Sequence, residues 1–248
     1  MPQIEGMENF QGTNFGFSGV SVDNLGADEY TLVGICVDRS GTTSGFQDDM
    51  EKCVQEIVKA CALSDRADNL MIRYTTFDDK LDEVHGYKLL PQCNLDDYLG
   101  TLVPGGRTAL YDSVIDMFDS IAKYGEELQK NDYDVNAAVF IITDGLNNAS
   151  AYGLQEVKNS QKRIVSGEYV ESMLSVLIGI NVDPNNIQGS DIGRELQRLK
   201  DDAELSQFVA IQDTSKKTLA KLANFVSRSI SSQSKSLGSK APSQSLQF

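Results

Sequence analysis

Apolar residues follow two regular patterns along the chain. Continuous apolar runs alternate with segments in which apolar residues recur every three or four positions. The first pattern is typical of strands buried on both faces, and the second is typical of helices that bury one face. The predicted strands cover residues 30–38, 69–77, 85–91, 136–144, 172–180 and 207–211. The predicted helices cover residues 46–63, 95–102, 109–129, 154–166, 191–200 and 215–230.

This order of elements predicts an α/β fold. Six strands that alternate with helices favour a doubly wound, mostly parallel six-stranded sheet with helices on both faces. In the common strand order 3-2-1-4-5-6, ligands bind between the carboxyl ends of strands one and four, where the strand order reverses. Here those two predicted strands end in Asp38 and Asp144. We therefore expect a functional site at these two aspartates.

The two ends of the chain differ from the segment between them. Residues 1–29 are rich in glycine and have no steady period, so we expect an irregular N-terminal arm. Phe10, Phe15 and Phe17 would pin this arm either to the domain or to a neighbouring subunit. Residues 231–248 are rich in serine and have few large apolar groups. We expect them to form a disordered tail, because they bury too little apolar surface to offset the entropy of ordering. The predicted domain thus covers residues 30–230.

Composition narrows the classes of partner and compartment. The 248 residues include 22 Lys and Arg against 36 Asp and Glu, a net charge of −14, which disfavours nucleic acid and anionic membranes as partners. An alternative interpretation is that the negative charge only keeps the protein soluble. The four cysteines include no CxxC pair, and Cys53 and Cys61 share one face of a predicted helix, which favours core packing. Without an evident signal peptide or membrane-spanning run, we expect a cytoplasmic protein.

Three loops at the predicted sheet edge carry oxygen donors. The first loop contains Asp38, Ser40 and Thr42, the second contains Thr108, and the third contains Asp144. Positions 38, 40 and 42 alternate by two, so an extended loop would present their side chains on the same side. Two carboxylates and three hydroxyls are hard donors with little negative charge, which suits Mg²⁺ or Mn²⁺ better than Ca²⁺.

These loops resemble the metal-ion-dependent adhesion site of von Willebrand factor A domains. DRSGT at 38–42 resembles the DxSxS motif of that family, with Thr42 in place of the second serine. GGRTAL at 105–110 resembles the second-loop threonine segment, and ITDG at 142–145 resembles the third-loop aspartate. The order, spacing and strand context agree over about residues 30–230. The resemblance implies a Rossmann-like fold of the intracellular, bacterial or phage type.

The resemblance also implies a role for each of these residues. Ser40, Thr42 and Thr108 would contact the metal through hydroxyl oxygens, while Asp38 and Asp144 would act directly or through bound water. A partner protein would fill the open coordination position with an Asp or Glu. The chain is then expected to be a cation-dependent interaction module and not an enzyme. Because intracellular relatives often work beside AAA+ ATPases, the resemblance implies a separate AAA+ ATPase as a candidate partner.

Two arginines flank the predicted site, and two interpretations of them stay open. Arg39 and Arg107 would either steady the partner carboxylate by charge-assisted hydrogen bonds or point to solvent.

Several other interpretations compete with the metal site. Asp38 and Asp144 could simply end strands and cap helices, but capping does not require three loops to converge. The P-loop and dinucleotide patterns are absent, and Ser40 stands where an aspartyl-phosphate enzyme would need a second carboxylate. The only histidine, His85, is expected at the surface or in packing. The remaining alternative is a structural subunit of a filament or virion with a stabilising or vestigial metal site, which the arm and tail favour.

Overall fold

The computed structural model describes residues 7–11, 16–236 and 248. The strands are β1 (Met7–Gln11), β2 (Gly16–Val20), β3 (Glu29–Asp38), β4 (Leu70–Phe77), β5 (Leu81–Leu89), β6 (Asp134–Thr143), β7 (Ser172–Ile180) and β8 (Gln207–Ile211). The α-helices are α1 (Gln47–Cys61), α2 (Leu110–Lys130), α3 (Leu154–Ser166), α4 (Asp191–Asp202) and α5 (Lys216–Ser236). The predicted short helix at 95–102 is a single 3₁₀ turn, Leu95–Tyr98.

The described strands form one mixed sheet in the order β1-β2-β5-β4-β3-β6-β7-β8. Strands β4, β3, β6, β7 and β8 are parallel to one another. Strand β5 runs antiparallel to β4, and β1 runs antiparallel to β2. All six predicted strands are present, and they follow the order 3-2-1-4-5-6. The prediction of a six-stranded sheet was nevertheless wrong, because the described part of the chain forms a sheet of eight strands.

The two additional strands come from the segment that we expected to be an irregular arm. Phe10 of β1 stacks on Phe17 of β2, and Phe17 packs edge-on against Tyr87 and Tyr124. The Tyr124 hydroxyl donates a hydrogen bond of 2.6 Å to a backbone carbonyl of β2. The arm prediction failed because these strands are stabilised by aromatic contacts with distant residues and not by a local apolar pattern. Phe15 lies outside the described residues.

A close backbone approach joins this N-terminal hairpin to the rest of the sheet. Strand β2 runs parallel to β5, with Gly19 opposite Tyr87. A Cβ added to Gly86 would lie 1.9 Å from the backbone oxygen of Ser18. Only glycine therefore allows β2 to approach β5 this closely. The side chain of Glu83 accepts hydrogen bonds from both the backbone N–H and the hydroxyl of Ser18.

Helices cover both faces of the sheet. Buried residues of α2, α3 and α4 form one apolar core, and those of α1 and α5 form the other. In α1, the buried residues Met50, Cys53, Val54, Ile57 and Cys61 recur at the spacing that makes one apolar stripe. This confirms that Cys53 and Cys61 pack in the core, and all four cysteines are free thiols.

The C-terminal helix is longer than predicted. Helix α5 continues to Ser236, so the first residues of the predicted disordered tail are helical. Residues 237–247 lie outside the described residues, and their disorder stays a prediction. No helix in the described ranges combines the length and the apolar character needed to cross a membrane.

Candidate metal centre

The candidate site lies where β3 and β6 end side by side. The two strands are parallel neighbours, and Val37 pairs with Ile142 at their carboxyl ends. Asp38 is the last residue of β3, and Asp144 follows the last residue of β6. The segment before α2, which contains Thr108, reaches the same edge.

Backbone hydrogen bonds hold the three loops together. The N–H of Gly41 donates to the carbonyl of Gly106 at 3.2 Å, and the N–H of Gly105 donates to the carbonyl of Arg39 at 3.0 Å. The second and third loops meet at Asn148, whose side-chain oxygen accepts from the Thr108 N–H at 2.8 Å. The N–H of Asn148 in turn donates to the Thr108 carbonyl at 3.0 Å. The three loops thus form one connected unit.

The five predicted ligands lie close to one another beside Gly145. A Cβ added to Gly145 would lie 3.2 Å from Thr42 Oγ1 and 3.8 Å from both Asp38 Oδ2 and Thr108 Oγ1. Ser40 Oγ lies 3.0 Å from Thr42 Oγ1, which donates to Asp144 Oδ1 at 3.1 Å. Donors from all three loops therefore surround one small region. The residues are Asp38, Ser40, Thr42, Thr108 and Asp144.

Most residues of this donor set are buried. Asp38, Ser40, Thr108 and Asp144 are buried, whereas Thr42 is exposed, so the site opens to solvent at Thr42. Burial raises the pKa of Asp38 above its ordinary value. Burial and then the neighbouring charge of Asp38 raise the pKa of Asp144 to about 6. Two adjacent carboxylates in this setting are costly unless a cation offsets their charge.

The residues present fit a small hard cation. Two carboxylates and three hydroxyls supply only oxygen, and this donor chemistry suits Mg²⁺ or Mn²⁺. Among the residues that the structure describes, no group of three or more His, Cys, Asp or Glu side chains is suited to hold a metal. A metal at this edge would therefore depend on the hydroxyls as much as on the two carboxylates.

The two flanking arginines occupy different environments. Arg39 is largely buried, and its Nε lies 3.4 Å from Asp78 Oδ2, while its Nη2 pairs with Asp82. The interpretation in which Arg39 simply points to solvent is therefore wrong. Arg107 is exposed and donates to the backbone carbonyl of Asn148. A role for either in binding a partner stays a prediction.

Sequence reasoning missed three residues that support the donor set. Thr143 donates to Asp38 Oδ2 at 2.6 Å and accepts from the Gly145 N–H at 3.1 Å, so it fixes both sides of the site. Asn148 orders the Thr108 loop, as described above. The carbonyl of Asp78, in the turn between β4 and β5, accepts from the Ala109 N–H at 2.8 Å. The sequence signal for Thr143 was its place beside Asp144, whereas the other two contacts have no local signature.

His85 lies in packing, which is one of its two predicted environments. Its ring is buried and contacts the rings of Tyr74 and Tyr98. Nδ1 lies 2.9 Å from the carbonyl of Gly86 and must therefore donate to it, while Nε2 accepts from the Tyr98 hydroxyl at 3.1 Å. Burial lowers the pKa of His85 to about 4. The imidazole is therefore neutral at pH 7.

Comparison with known proteins shows the fold of the chain. No protein-family model and no curated protein matches it. The similar solved structures include a von Willebrand factor type A protein from Catenulispora acidiphila, with 13% identity, a TM-score of 0.56, and coverage of 88% of this chain and 45% of that one. They also include the PilB minor pilin from Streptococcus sanguinis, with 13% identity, a TM-score of 0.55, and coverage of 86% and 64%.

A third similar structure is the pilus adhesin SpaC from Lactobacillus rhamnosus GG, with 10% identity, a TM-score of 0.54, and coverage of 82% of this chain and 31% of that one. The chain thus spans less than two thirds of the length of each of these proteins. At these identities the likeness concerns the fold alone. The chain has an α/β fold similar to that of a von Willebrand factor type A protein.

Proposed function

We propose that this chain is a divalent-cation-dependent module that binds the carboxylate of a partner protein. The observation that carries the proposal is the meeting of oxygen donors from three loops beside Gly145, with solvent access at Thr42. The likeness of DRSGT and ITDG to adhesion-site motifs agrees with this chemistry. Mg²⁺ is the cation that the donor set favours, with Mn²⁺ as the second choice.

The chain's own residues would hold the cation without neutralising it. Ser40, Thr42 and Thr108 offer neutral hydroxyl oxygens, and Asp38 and Asp144 offer the only two negative charges. When bound, the cation supplies positive charge that attracts an incoming carboxylate. Hydrogen bonds from Thr143 and from the Ser40 N–H orient the two oxygens of Asp38.

Calorimetry on the metal-free protein tests this proposal. Mg²⁺ and Mn²⁺ are titrated into wild type and Asp38→Ala, with and without glutamate as a simple carboxylate. We expect one saturable site in wild type and loss of that binding in the variant, with circular dichroism to verify that both proteins are folded. Glutamate should tighten metal binding in wild type. An absence of metal binding in folded wild-type protein would refute the proposal.

One candidate for the partner is a separate AAA+ ATPase in the cytoplasm. The support for it is the likeness of the three loops to those of intracellular von Willebrand factor A proteins. Capture of an ATPase by wild type in Mg²⁺, but not in EDTA and not by Thr108→Ala, would support this choice. Equal capture under all three conditions would contradict it.

A structural subunit of a larger assembly is the second candidate function. The observation in its favour is that solved structures with the same fold include a minor pilin and a pilus adhesin. Sedimentation velocity and electron microscopy of wild type and Asp38→Ala would separate the two functions. Assemblies that form equally in Mg²⁺, in EDTA and with the variant would favour the structural subunit over the cation-dependent module.

A further inference from the structure

A cleft of about 400 Å³ opens beside the candidate metal centre. Its walls come from the start of α2, the loop after β6, and α4. The apolar part of its lining is formed by Leu110, Tyr111, Leu146, Leu196 and Leu199. This volume lies within the range of clefts that bind small ligands.

The cleft is continuous with two of the three metal-site loops. Leu110 follows Thr108 by two residues, and Leu146 follows Asp144 by two residues. Two residues of extended chain span at most about 7 Å. A partner segment with its carboxylate at the metal centre would therefore place a side chain two or three positions away over the cleft.

The mouth of the cleft is negatively charged. Asp191 and Glu195 line it, with side chains that are 85% and 52% exposed. Among the described lining residues, the one cation is Arg194, which pairs with Asp191 and with the carbonyl of Gln188. Glu195 makes only a long contact of 3.9 Å with the exposed Arg198, and such surface pairs contribute little. The mouth thus complements a basic side chain, in keeping with the net charge of −14 of the whole chain.

We infer that this cleft takes a large apolar side chain, such as leucine, from the same partner segment whose carboxylate reaches the metal. A basic residue of that segment pairs with Glu195 at the mouth. The inference rests on the proposed function and specifies the partner: a segment with an acidic, an apolar and a basic residue in close succession. Burial of one leucine would tighten binding by tenfold or more.

Synthetic fluorescein-labelled heptapeptides test the inference by fluorescence polarisation in saturating Mg²⁺ and in EDTA. Each peptide contains one Glu, one position that is either Leu or Ser, and one position that is either Arg or Ser. The set is made twice, once with these three positions in that order along the chain and once with the order reversed. We expect the peptide with Glu, Leu and Arg to bind at least tenfold more tightly than the peptide with two serines, and only in Mg²⁺.

Paired variants assign the preference to the cleft. Leu146→Gln should abolish the preference for Leu over Ser, whereas Leu63→Gln should keep it, because Leu63 is 73% exposed and follows α1, away from the cleft. Glu195→Lys should abolish the preference for Arg. Glu204→Lys, at a side chain of nearly equal exposure, should keep it.

The outcomes separate this inference from the proposed function. Mg²⁺-dependent binding that is equal for all the peptides would contradict the inferred role of the cleft and would still support the proposed metal site. A Leu preference that persists in EDTA would overturn the link between cleft and metal. If calorimetry finds no Mg²⁺ binding and no peptide binds, both the inference and the proposed function fail.

Discussion

At the residue scale, the candidate metal centre depends on the absence of a side chain at Gly145. The three nearest heavy atoms to the place of its missing Cβ are Thr42 Oγ1, Asp38 Oδ2 and Thr108 Oγ1. A Cβ at this position would be in tight contact with Thr42 Oγ1 at 3.2 Å and would take up space between the donors.

Gly145→Ala should weaken Mg²⁺ binding by about tenfold or more, because the new methyl group would occupy the region that the donors surround. Calorimetric titration measures the change. The free energy of unfolding should change by less than about 1 kcal/mol, since Gly145 is not among the glycines with positive φ. Gly105→Ala is the matched control, because a Cβ there would meet no atom within 4 Å. An unchanged Mg²⁺ affinity in Gly145→Ala would argue against a metal at this point.

His85 should make stability depend on pH. Its pKa is about 4 in the folded protein and about 6.5 in an unfolded chain. Between these values the unfolded chain binds a proton that the folded protein does not. The contribution of neutral His85 to the free energy of unfolding should therefore be fully present above pH 6.5. It should be lost as the pH decreases towards 4, by roughly 3 kcal/mol.

Urea unfolding of wild type and His85→Gln at pH 7 and pH 4.5 checks this prediction. The raised pKa of Asp144 acts in the opposite direction in an overlapping range, so the informative quantity is the difference between the two proteins. The variant should lose less stability on acidification than wild type does. Equal losses would show that His85 is protonated in the folded state.

The sequence could predict the five candidate ligands because each lies at or just after the end of a buried strand, or just before a helix, in a recognisable motif. It could not predict Thr143, Asn148 or Asp78 as supporting residues. The hydrogen bond of Thr143 to Asp38 joins residues 105 positions apart, and that of Asn148 to Thr108 joins residues 40 apart. Such contacts depend on strand order and loop path, which no local pattern encodes.

At the scale of elements, α2 connects the sheet to the candidate site. Thr108 precedes its first turn, and Asp112 in that turn accepts hydrogen bonds from the N–H groups of Ala151 and Tyr152. Farther along, Asp116 binds the buried guanidinium of Arg73 on β4 at 2.8 Å. Helix α2 is thus held by polar contacts as well as by its apolar stripe.

Asp116→Ala should destabilise the protein by roughly 3 kcal/mol, because it leaves Arg73, which is 2% exposed, with one carboxylate fewer. Glu83 remains as its second partner, at 2.8 Å. Urea unfolding measures the loss. Glu126→Ala, at a side chain of the same helix that is 35% exposed, should cost less than about 1 kcal/mol.

Combining Asp116→Leu with Arg73→Met should recover much of that stability, since apolar pairs often replace buried ion pairs at little cost. If Asp116→Ala were no more harmful than Glu126→Ala, the pair would contribute little to the position of α2 on the sheet.

At the scale of the whole molecule, the sheet is larger than the sequence pattern predicts. The apolar runs of the six central strands are local signals, and those strands are predictable from them. The N-terminal hairpin carries no such signal, because its stability comes from contacts of Phe10 and Phe17 with Tyr87 and Tyr124. The eight-stranded sheet is therefore a property of tertiary packing.

Gly86→Ala should detach this hairpin, because its Cβ would meet backbone atoms of Ser18 at 1.9 and 2.3 Å. We expect faster proteolytic cleavage within residues 7–20 and a lower melting temperature. Mg²⁺ affinity should stay close to wild type, since the candidate metal centre lies on other strands. Gly26→Ala is the control, with no atom within 4 Å of its added Cβ. Unchanged cleavage in Gly86→Ala would mean that the hairpin tolerates a wider spacing from β5.

The docking of this hairpin also sets an order of events in time. The Ser18 hydroxyl binds Glu83, 65 positions later, and the carbonyl of Val20 binds Tyr124, 104 positions later. During synthesis the hairpin leaves the ribosome before these partners, and the set of partners is complete only when Tyr124 of α2 has been translated. The hairpin must therefore stay undocked while about 100 further residues are produced.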